Sequence, residues 1–329
     1  MKIYCVYPIS DPNLNIGKNP YIKNMVNAIN SKGNKVINHN TFSNYGVFSL
    51  LNYVSKSDVY IFNWTESIPF RKFGLIQSLF LPILLILLRL LNKRIIFIFH
   101  NKFSHSGKNF ISSINLFFSL IFSHKIVTHS HEGVNYLKSK FRNILNQNKV
   151  KFVYHPAYTT TIEDKKTVLV KYDYIIWGSI SPYKGVLDFL YFLKKKKGPN
   201  KIKILICGKV SSKDFKNKLD LLDINNIDII DEFITENNLS KYIASAKNIL
   251  FVYSSSSVLS SGALIKSLNY GKPIIGPRVG AFKDLENIGL INCFNNYDDI
   301  FFEDINYSNE KVKDFLKLNS WSNQILNFL

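Results

Sequence analysis

The 329-residue chain is 46% hydrophobic and 20% charged, which predicts a folded protein of two ordinary domains and excludes a disordered or low-complexity chain. Its formal net charge is +19, and residues 1–165 hold 20 Lys or Arg against 6 Asp or Glu. This charge favours an anionic partner, such as a phospholipid surface, a phosphate-bearing substrate or nucleic acid. A general compositional bias toward Lys, Asn, Ile and Tyr explains the excess of positive charge equally well. The three cysteines fit neither a disulfide framework nor a zinc site, so we expect reduced thiols in a cytosolic protein.

Short apolar strands alternate with helical stretches along the whole chain. The predicted strands are 3–7, 35–38, 59–62, 94–99, 125–128, 151–153, 174–177, 203–207, 227–230, 249–252, 273–275 and 289–292. The predicted helices include 20–32, 133–140, 187–195, 213–222 and 238–245, and 309–329 forms a helical tail. This alternation predicts two doubly wound, Rossmann-like α/β domains with parallel sheets.

Two long apolar segments, 73–91 and 110–122, belong to the first half. Gln77, Ser78, Pro82 and Arg89 interrupt the first, whose polar-free core is far shorter than the ~20 residues of a membrane span. Basic residues flank both segments. We therefore expect either two core helices or helices that lie on an anionic membrane surface.

Polar turns follow several strands of the first half. Gly17 and Asn19 follow the first strand, Asn63, Trp64 and Glu66 follow 59–62, His100, Asn101 and His105 follow 94–99, and His131 follows 125–128. In parallel sheets, ligands bind beyond the carboxyl ends of the strands. We expect these residues at a ligand-binding edge, facing the cleft between two domains.

The stretch 252–282 predicts a strand, a glycine-bearing turn, a helix and a second strand. Ser260, Ser261 and Gly262 stand where the helix 263–270 begins, so free backbone N–H groups and the helix dipole form an anion site there. Lys184 follows a strand and a turn that starts at Gly178, and its ammonium can reach a diphosphate. The two features together predict a phosphate-binding site in the second half.

The second-half motifs 178–185, 206–208, 231–236 and 253–280, in this order, resemble those of GT-B glycosyltransferases. The resemblance implies two facing Rossmann-like domains with a C-terminal crossover helix. The first would bind an acceptor and comprise 1–160 with the helix 310–329, and the second would bind a nucleotide sugar over 168–309. The implied activity is transfer of a sugar from a nucleotide-diphosphate sugar, UDP or GDP, to a glycan or lipid-linked acceptor in bacterial surface-polysaccharide biosynthesis.

The same resemblance implies roles for individual residues. Donor binding falls to Gly178, Lys184, Gly208, Asp231, Phe233, Ile234, Tyr253, Ser260, Ser261, Gly262 and Ala263. Acceptor binding falls to Gly17, Asn19, Asn63, Trp64 and Asn101.

The chain departs from the large retaining branch of this family at three positions. Ser179 stands where that branch has an arginine, and Val258 and Lys266 stand where it has a pair of glutamates. We therefore expect inverting chemistry, which needs a base to deprotonate the acceptor hydroxyl. The candidates for this base are His105, which we favour, then His131, with Glu66 and His100.

No convincing metal motif is present, and Lys184 with helix dipoles can offset the charge of a leaving group. We expect no metal and no cofactor, no nucleic-acid partner, and a cytoplasmic protein peripheral on the inner face of the cell membrane. Two alternatives stay open: a nucleotide-sugar epimerase of the same fold, and a non-catalytic membrane- or nucleic-acid-binding protein with a decayed donor site.

Overall fold

The computed structural model describes residues 1–8, 20–39, 45–104, 107, 109–157, 168–196, 202–222, 224–254, 258–301 and 307–329. The chain divides into two compact units, which are Met1–Tyr158 with Leu318–Leu329 (unit 1) and Thr159–Lys317 (unit 2). The return to unit 1 comes at residue 318, later than the predicted 310, because the helix Asn309–Leu318 makes its contacts almost wholly within unit 2.

Unit 1 is built on a parallel sheet of six strands. These are β1 (Ile3–Tyr7), β2 (Lys35–Val36), β3 (Val59–Asn63), β4 (Arg94–Phe99), β5 (Lys125–Thr128) and β6 (Val150–Phe152). Its helices are α1 (Tyr21–Ser31), α2 (Gly74–Leu90), α3 (Phe110–Phe122) and α4 (His131–Lys140), with 3-10 segments at Gly46–Tyr53, Thr65–Phe70 and Gln147–Lys149. The strand order is β2-β1-β3-β4-β5-β6, so the direction of winding changes between β1 and β3.

Unit 2 is built on a second parallel sheet of six strands. These are β7 (Tyr172–Trp177), β8 (Ile204–Cys207), β9 (Ile227–Ile230), β10 (Ala246–Leu250), β11 (Ile274–Pro277) and β12 (Asn292–Phe294). Its helices are α5 (Val186–Lys195), α6 (Lys213–Asp220), α7 (Glu236–Ala244), α8 (Gly262–Ser267), α9 (Gly280–Asn287) and α10 (Asn309–Leu318), with 3-10 segments at Pro182–Lys184, Leu268–Tyr270 and Tyr297–Phe301. The order β9-β8-β7-β10-β11-β12 places its change of direction between β7 and β10.

Every predicted strand overlaps an observed one, and the predicted class of two Rossmann-like α/β domains is confirmed. The strands read as continuous apolar runs because parallel sheets are buried on both faces. β4, for example, is buried from Ile95 to Phe99. The last strand was misplaced, since 289–292 meets β12 only at Asn292.

The C-terminal helix α11 (Trp321–Phe328) packs on unit 1. A parallel bridge joins Ala157 to Ser320, just before this helix begins. Trp321, Ile325 and Phe328 belong to the same buried cluster as Tyr21 on α1. The last residues of the chain therefore complete the core on one face of the first sheet.

The two long apolar segments form α2 and α3, of 17 and 13 residues. No helix within the described ranges is both long and apolar enough to cross a membrane. Cys5, Cys207 and Cys293 carry free thiols.

Candidate functional site

The strand order of unit 2 marks a binding edge between β7 and β10. In doubly wound sheets a crevice opens beyond the carboxyl ends of the two strands between which the winding changes direction. Gly178 directly follows β7, and Tyr253 comes shortly after β10. These are two of the residues that the sequence assigned to donor binding.

Lys184 is buried at this edge. It is 8% exposed, its Nζ donates a hydrogen bond to the phenolic oxygen of Tyr253, and Nζ lies 4.2 Å from the centre of the Tyr253 ring. Burial lowers the pKa of the ammonium. Within the part of the chain that the structure describes, no ion pair joins Lys184 to a carboxylate. A buried cation with no anionic partner is costly, and an anionic ligand would remove that cost.

A chain of hydrogen bonds links Lys184 through Tyr253 to the start of α8. The Tyr253 hydroxyl lies 3.1 Å from Oγ of Ser261, and Ser261 Oγ accepts a hydrogen bond of 3.2 Å from the Leu264 N–H. Ser261 is therefore the N-cap of α8, so the N–H groups of Gly262 and Ala263 belong to a first turn without intrahelical acceptors.

Two serine hydroxyls beside these residues in the chain are buried and have no hydrogen-bond partner among the residues that the structure describes. They are Oγ of Ser181, in the turn before Lys184, and Oγ of Ser260, next to the N-cap. Buried hydroxyls are normally hydrogen-bonded, so each orphaned group calls for an explanation. A bound oxyanion is one group that could accept a hydrogen bond from such a hydroxyl.

Glycines at this edge let backbones approach closely. Gly208 has a φ of +151°, and a Cβ there would lie 1.8 Å from the carbonyl oxygen of Gly178. Gly178 has a φ of +104°, and a Cβ there would lie 3.9 Å from Lys184 Nζ. A side chain at Gly208 would collide with the Gly178 carbonyl, and at either position the positive φ favours glycine.

The loop after β9 contains three further predicted residues. Asp231 Oδ1 accepts a 2.9 Å hydrogen bond from the Val210 N–H, and its carboxylate lies 3.2 Å from Nζ of both Lys209 and Lys216. The Val210 hydrogen bond, with the two lysines, lowers the pKa of Asp231. The Asp231 side chain thus stabilises the turn that contains Lys209 and Val210. Phe233 is 64% exposed and Ile234 is half-buried, so the Phe233 ring offers a surface for stacking.

The corresponding edge of unit 1 lies beyond β1 and β3. Asn63, the last residue of β3, donates through Nδ2 to the Tyr7 carbonyl at 3.0 Å, and its Oδ1 lies 3.1 Å from His100 Nε2. The amide oxygen can only accept, so His100 holds its proton on Nε2. The Trp64 ring stacks on His100 with 4.4 Å between centroids, from a left-handed backbone with a φ of +51°.

His129 and His155 lie deeper, in an aromatic cluster around Tyr21. His129 Nδ1 lies 2.8 Å from the Val153 carbonyl, which requires a proton there, so Nε2 accepts from the Tyr21 hydroxyl at 2.8 Å. Burial lowers the pKa of His129 to about 3 and that of His155 to about 4. Both imidazoles are neutral parts of the core at physiological pH.

Glu66 lies in the 3-10 segment after Trp64 and is 3% exposed. Its Oε1 is buried and has no hydrogen-bond partner in the described ranges of the chain. Burial raises the pKa of this carboxyl to about 7, against the opposing effects of Asn101 and Arg71. Glu66 therefore exchanges its proton near neutral pH, as a general base must.

Glu66 also lines a small pocket on unit 1. The other lining residues are Lys102, Phe103, Ser104, Gly107, Asn109, Ser112, Ser113 and Leu116. Lys102 is held by an ion pair with Glu132. The pocket thus combines one carboxyl, an ammonium, three serine hydroxyls and one amide, all of which can hydrogen-bond a ligand hydroxyl.

Comparison with known proteins identifies the architecture. No family model and no curated protein sequence matches the chain. Anabaena HepE, whose structure holds UDP, has a TM-score of 0.62 at 10% identity over 100% of this chain and 93% of that one. The lipopolysaccharide outer core galactosyltransferase WaaB has 0.62 at 13%, over 100% and 98%, and a glycosyltransferase from Rickettsia africae has 0.56 at 13%, over 99% and 91%. The chain has the GT-B fold.

The remaining predicted residues of this GT-B chain occupy varied places. Asn101 is buried, and His131 is exposed at the start of α4 with its ring 3.9 Å from that of Phe152. Gly17, Asn19 and His105 lie outside the described residues, so the preferred base, His105, stays a prediction.

The two positions that lack glutamate in this GT-B chain also differ in environment. Val258 is buried, whereas Lys266 forms an ion pair with Glu236 and lies 5.5 Å from the centre of the Trp177 ring. At position 266 a lysine thus stands where the retaining branch of the family has a glutamate.

Sequence reasoning missed the polar lining of the Glu66 pocket. Asn109 is the N-cap of α3, and its Oδ1 accepts from the Ile111 N–H at 2.9 Å. Ser112 is a buried polar residue inside an apolar run, and that interruption was the signal available in the sequence.

Among the described residues no group of three or more His, Cys, Asp or Glu side chains could hold a metal ion, and metal independence stays a prediction.

Proposed function

We propose that the protein is a glycosyltransferase that moves a sugar from a nucleoside-diphosphate sugar, with UDP or GDP as carrier, to a glycan or lipid-linked acceptor. The observation that carries the proposal is the buried Lys184, which has no carboxylate partner among the described residues, at the edge where β7 and β10 end. The orphaned hydroxyls of Ser181 and Ser260 support it. The GT-B fold is consistent with it, although the fold alone does not determine the reaction.

Lys184 and the first turn of α8 would hold the diphosphate. When the bond from the sugar C1 to the diphosphate oxygen breaks, its electron pair goes to that oxygen, and the charge grows where the ammonium and the N–H groups of Gly262 and Ala263 are already oriented. Preoriented donors of this kind stabilise a leaving group without reorganisation. We propose that they do so without a metal ion.

Glu66 is the base we propose for an inverting transfer. Its carboxylate takes the proton of the acceptor hydroxyl as the hydroxyl oxygen bonds to C1 from the face opposite the diphosphate. Its pKa of about 7 and its orphaned Oε1 in a polar pocket suit this role. His100 is the alternative candidate, and because Asn63 holds its Nε2 proton it would have to accept a proton at Nδ1.

The cellular setting is also part of the proposal. We infer synthesis of a bacterial surface polysaccharide by a protein that is peripheral on the inner face of the cell membrane, with no nucleic-acid partner. The basic, apolar first half of the chain supports this setting.

A thermal-shift panel of UDP, GDP, ADP, CMP and dTDP compounds tests the donor site. A ligand that binds only the folded state raises the melting temperature, so we expect one diphosphate to raise it by a few degrees. Lys184→Ala should abolish the shift, and Lys283→Ala, at an exposed position of α9, should keep it. Absence of a shift with every nucleotide would refute the proposal. A sugar that changes configuration without any acceptor would indicate an epimerase instead.

A further inference from the structure

Helix α2 is apolar on its exposed side as well as on its buried side. The outward positions Leu75, Ile76, Leu79, Ile83, Ile86 and Leu90 are between 42% and 75% exposed. We call these six side chains the α2 face. The buried side includes Gln77 and Ser78. The same side also buries Leu81, Leu84, Leu85 and Leu88, so α2 packs on the core like an ordinary helix, but its outward side is apolar where a helix of a water-soluble protein is polar.

Hydrogen bonds fix the rotation of α2. Gln77 Oε1 accepts from the Val47 N–H at 3.0 Å. Ser78 Oγ accepts from Asn115 Nδ2 of α3 at 2.9 Å and donates to the Gly74 carbonyl at 2.7 Å. If the α2 face turned inward, Gln77 and Ser78 would turn away from the Val47 N–H and from Asn115 Nδ2, which would lose these hydrogen bonds. The hydrogen bonds therefore favour the outward orientation of the α2 face.

Apolar exposure continues at both ends of the α2 face. Phe70 and Phe73 precede the helix and Leu91 follows it, and all three are exposed. Phe110, exposed as well, opens α3, the helix that packs against α2. Contiguous apolar surface of this extent marks a site of contact with another molecule or with a membrane.

The charge around α2 has one sign. Residues 67–131 contain eight Lys or Arg and no Asp or Glu. Arg71 and Lys72 stand before α2, Arg89 lies in its last turn and Lys93 follows it. A second copy of this chain on the α2 face would bring two such sets of cations together, so the charge disfavours a homodimer and favours an anionic surface.

We propose that the α2 face docks on an anionic lipid bilayer, with α2 parallel to the membrane plane and its leucines and isoleucines in the boundary between headgroups and acyl chains. At 17 residues the helix is about 25 Å long, shorter than the ~30 Å hydrocarbon core, which suits a surface position. The inference rests on the membrane association in the proposed function and names the element that provides it. Arg71, Lys72 and Arg89 contact the lipid phosphates.

Co-sedimentation with vesicles tests the docking surface. The purified chain is mixed with vesicles of phosphatidylcholine alone or with 30% phosphatidylglycerol, at low and high salt. We expect binding to the anionic vesicles that weakens with salt. The triple variant Leu79→Ser, Ile83→Ser, Leu90→Ser should bind about tenfold more weakly or worse, because three apolar side chains no longer insert.

Leu221→Ser is the matched control, since Leu221 is an equally apolar side chain, 79% exposed, on unit 2. It should bind vesicles like the wild type. Equal binding by the triple variant, or binding that ignores lipid charge, would overturn the proposal. So would a wild-type dimer that the triple variant converts to a monomer, which would show that a second copy covers the α2 face.

The nucleotide thermal shift keeps this test separate from the proposed function. A triple variant that still shifts with the nucleotide is folded, so its loss of vesicle binding reports on the α2 face alone. Conversely, vesicle binding without any nucleotide shift would support docking and refute the transferase proposal.

Discussion

The ammonium of Lys184 donates a hydrogen bond to the Tyr253 hydroxyl, 69 residues away in the sequence. Tyr253 in turn reaches Ser261, the N-cap of α8. Through this one phenol, hydrogen bonds join the turn after β7 to the start of the helix after β10 at the edge of the second sheet.

Tyr253→Phe removes the hydroxyl and keeps the ring. We expect diphosphate affinity to fall about five- to tenfold, since Lys184 and Ser261 lose the group that orients them, a loss on the order of 1 kcal/mol. Isothermal titration calorimetry measures this change. Tyr191→Phe, at an exposed position of α5, is the control and should bind like the wild type. Unchanged affinity in Tyr253→Phe would show that the phenol does not position the site.

Glu66→Gln removes the carboxylate with little change of shape. We expect transfer to slow by about a hundredfold or more while nucleotide binding stays intact, because only deprotonation of the acceptor is lost. The wild-type rate should rise with pH through about 7, where Glu66 loses its proton, and the variant should lack that rise. Glu310→Gln on the exposed start of α10 is the control. If Glu66→Gln transferred sugar at the wild-type rate, Glu66 would not be the base, and the histidines would become the candidates.

The same substitution has a signature in stability. The pKa of Glu66 is raised above that of an unfolded chain, so its favourable contribution is complete below pH 4.5 and is lost as pH rises through about 7. Glu66→Gln should therefore gain stability relative to the wild type at pH 8 and lose that advantage at pH 4.5. Urea unfolding at the two pH values measures the difference, and an equal effect at both would contradict the burial of the charge.

His129 and His155 have the opposite dependence on pH. Their folded pKa values, about 3 and about 4, lie below the usual 6.5, so the unfolded chain binds protons first. Stability is complete above pH 6.5 and falls as the pH drops toward the folded values, by roughly 3 kcal/mol for each histidine at pH 4. Urea unfolding at half-unit steps, in the Glu66→Gln background, measures this slope. His155→Asn should make it shallower, and an unchanged slope would show that His155 is not the source.

Gly208→Ala tests the close approach of two turns in unit 2. A Cβ at Gly208 would lie 1.8 Å from the Gly178 carbonyl oxygen, on a backbone with a φ of +151°. We expect a loss of about 3 kcal/mol or more in the free energy of unfolding. The control, Gly33→Ala, has a φ of +75° but no atom within 4 Å of its Cβ, and should cost only about 1 kcal/mol. Similar costs at both positions would mean that the turn after β7 yields easily.

The sequence alone determined the strands, the doubly wound class and the position of the turns that contain the candidate phosphate-binding residues. Apolar runs and glycine-bearing turns are local signals, and Lys184, Ser260 and Ser261 stand at strand or helix ends that such signals locate. This is why each predicted strand overlaps an observed one, and why only boundaries such as that of β12 were misplaced.

Only the tertiary structure decided which of these groups are buried and what they meet. Nothing near Lys184 in sequence reveals that it packs on Tyr253, and nothing near Glu66 reveals that its Oε1 is orphaned, because burial results from contacts between distant segments. The sequence could not predict which side of α2 faces the core. Leucine and isoleucine surround the helix on all faces, so the hydrogen bonds of Gln77 and Ser78 to residues elsewhere in the fold set its rotation and leave the α2 face outside.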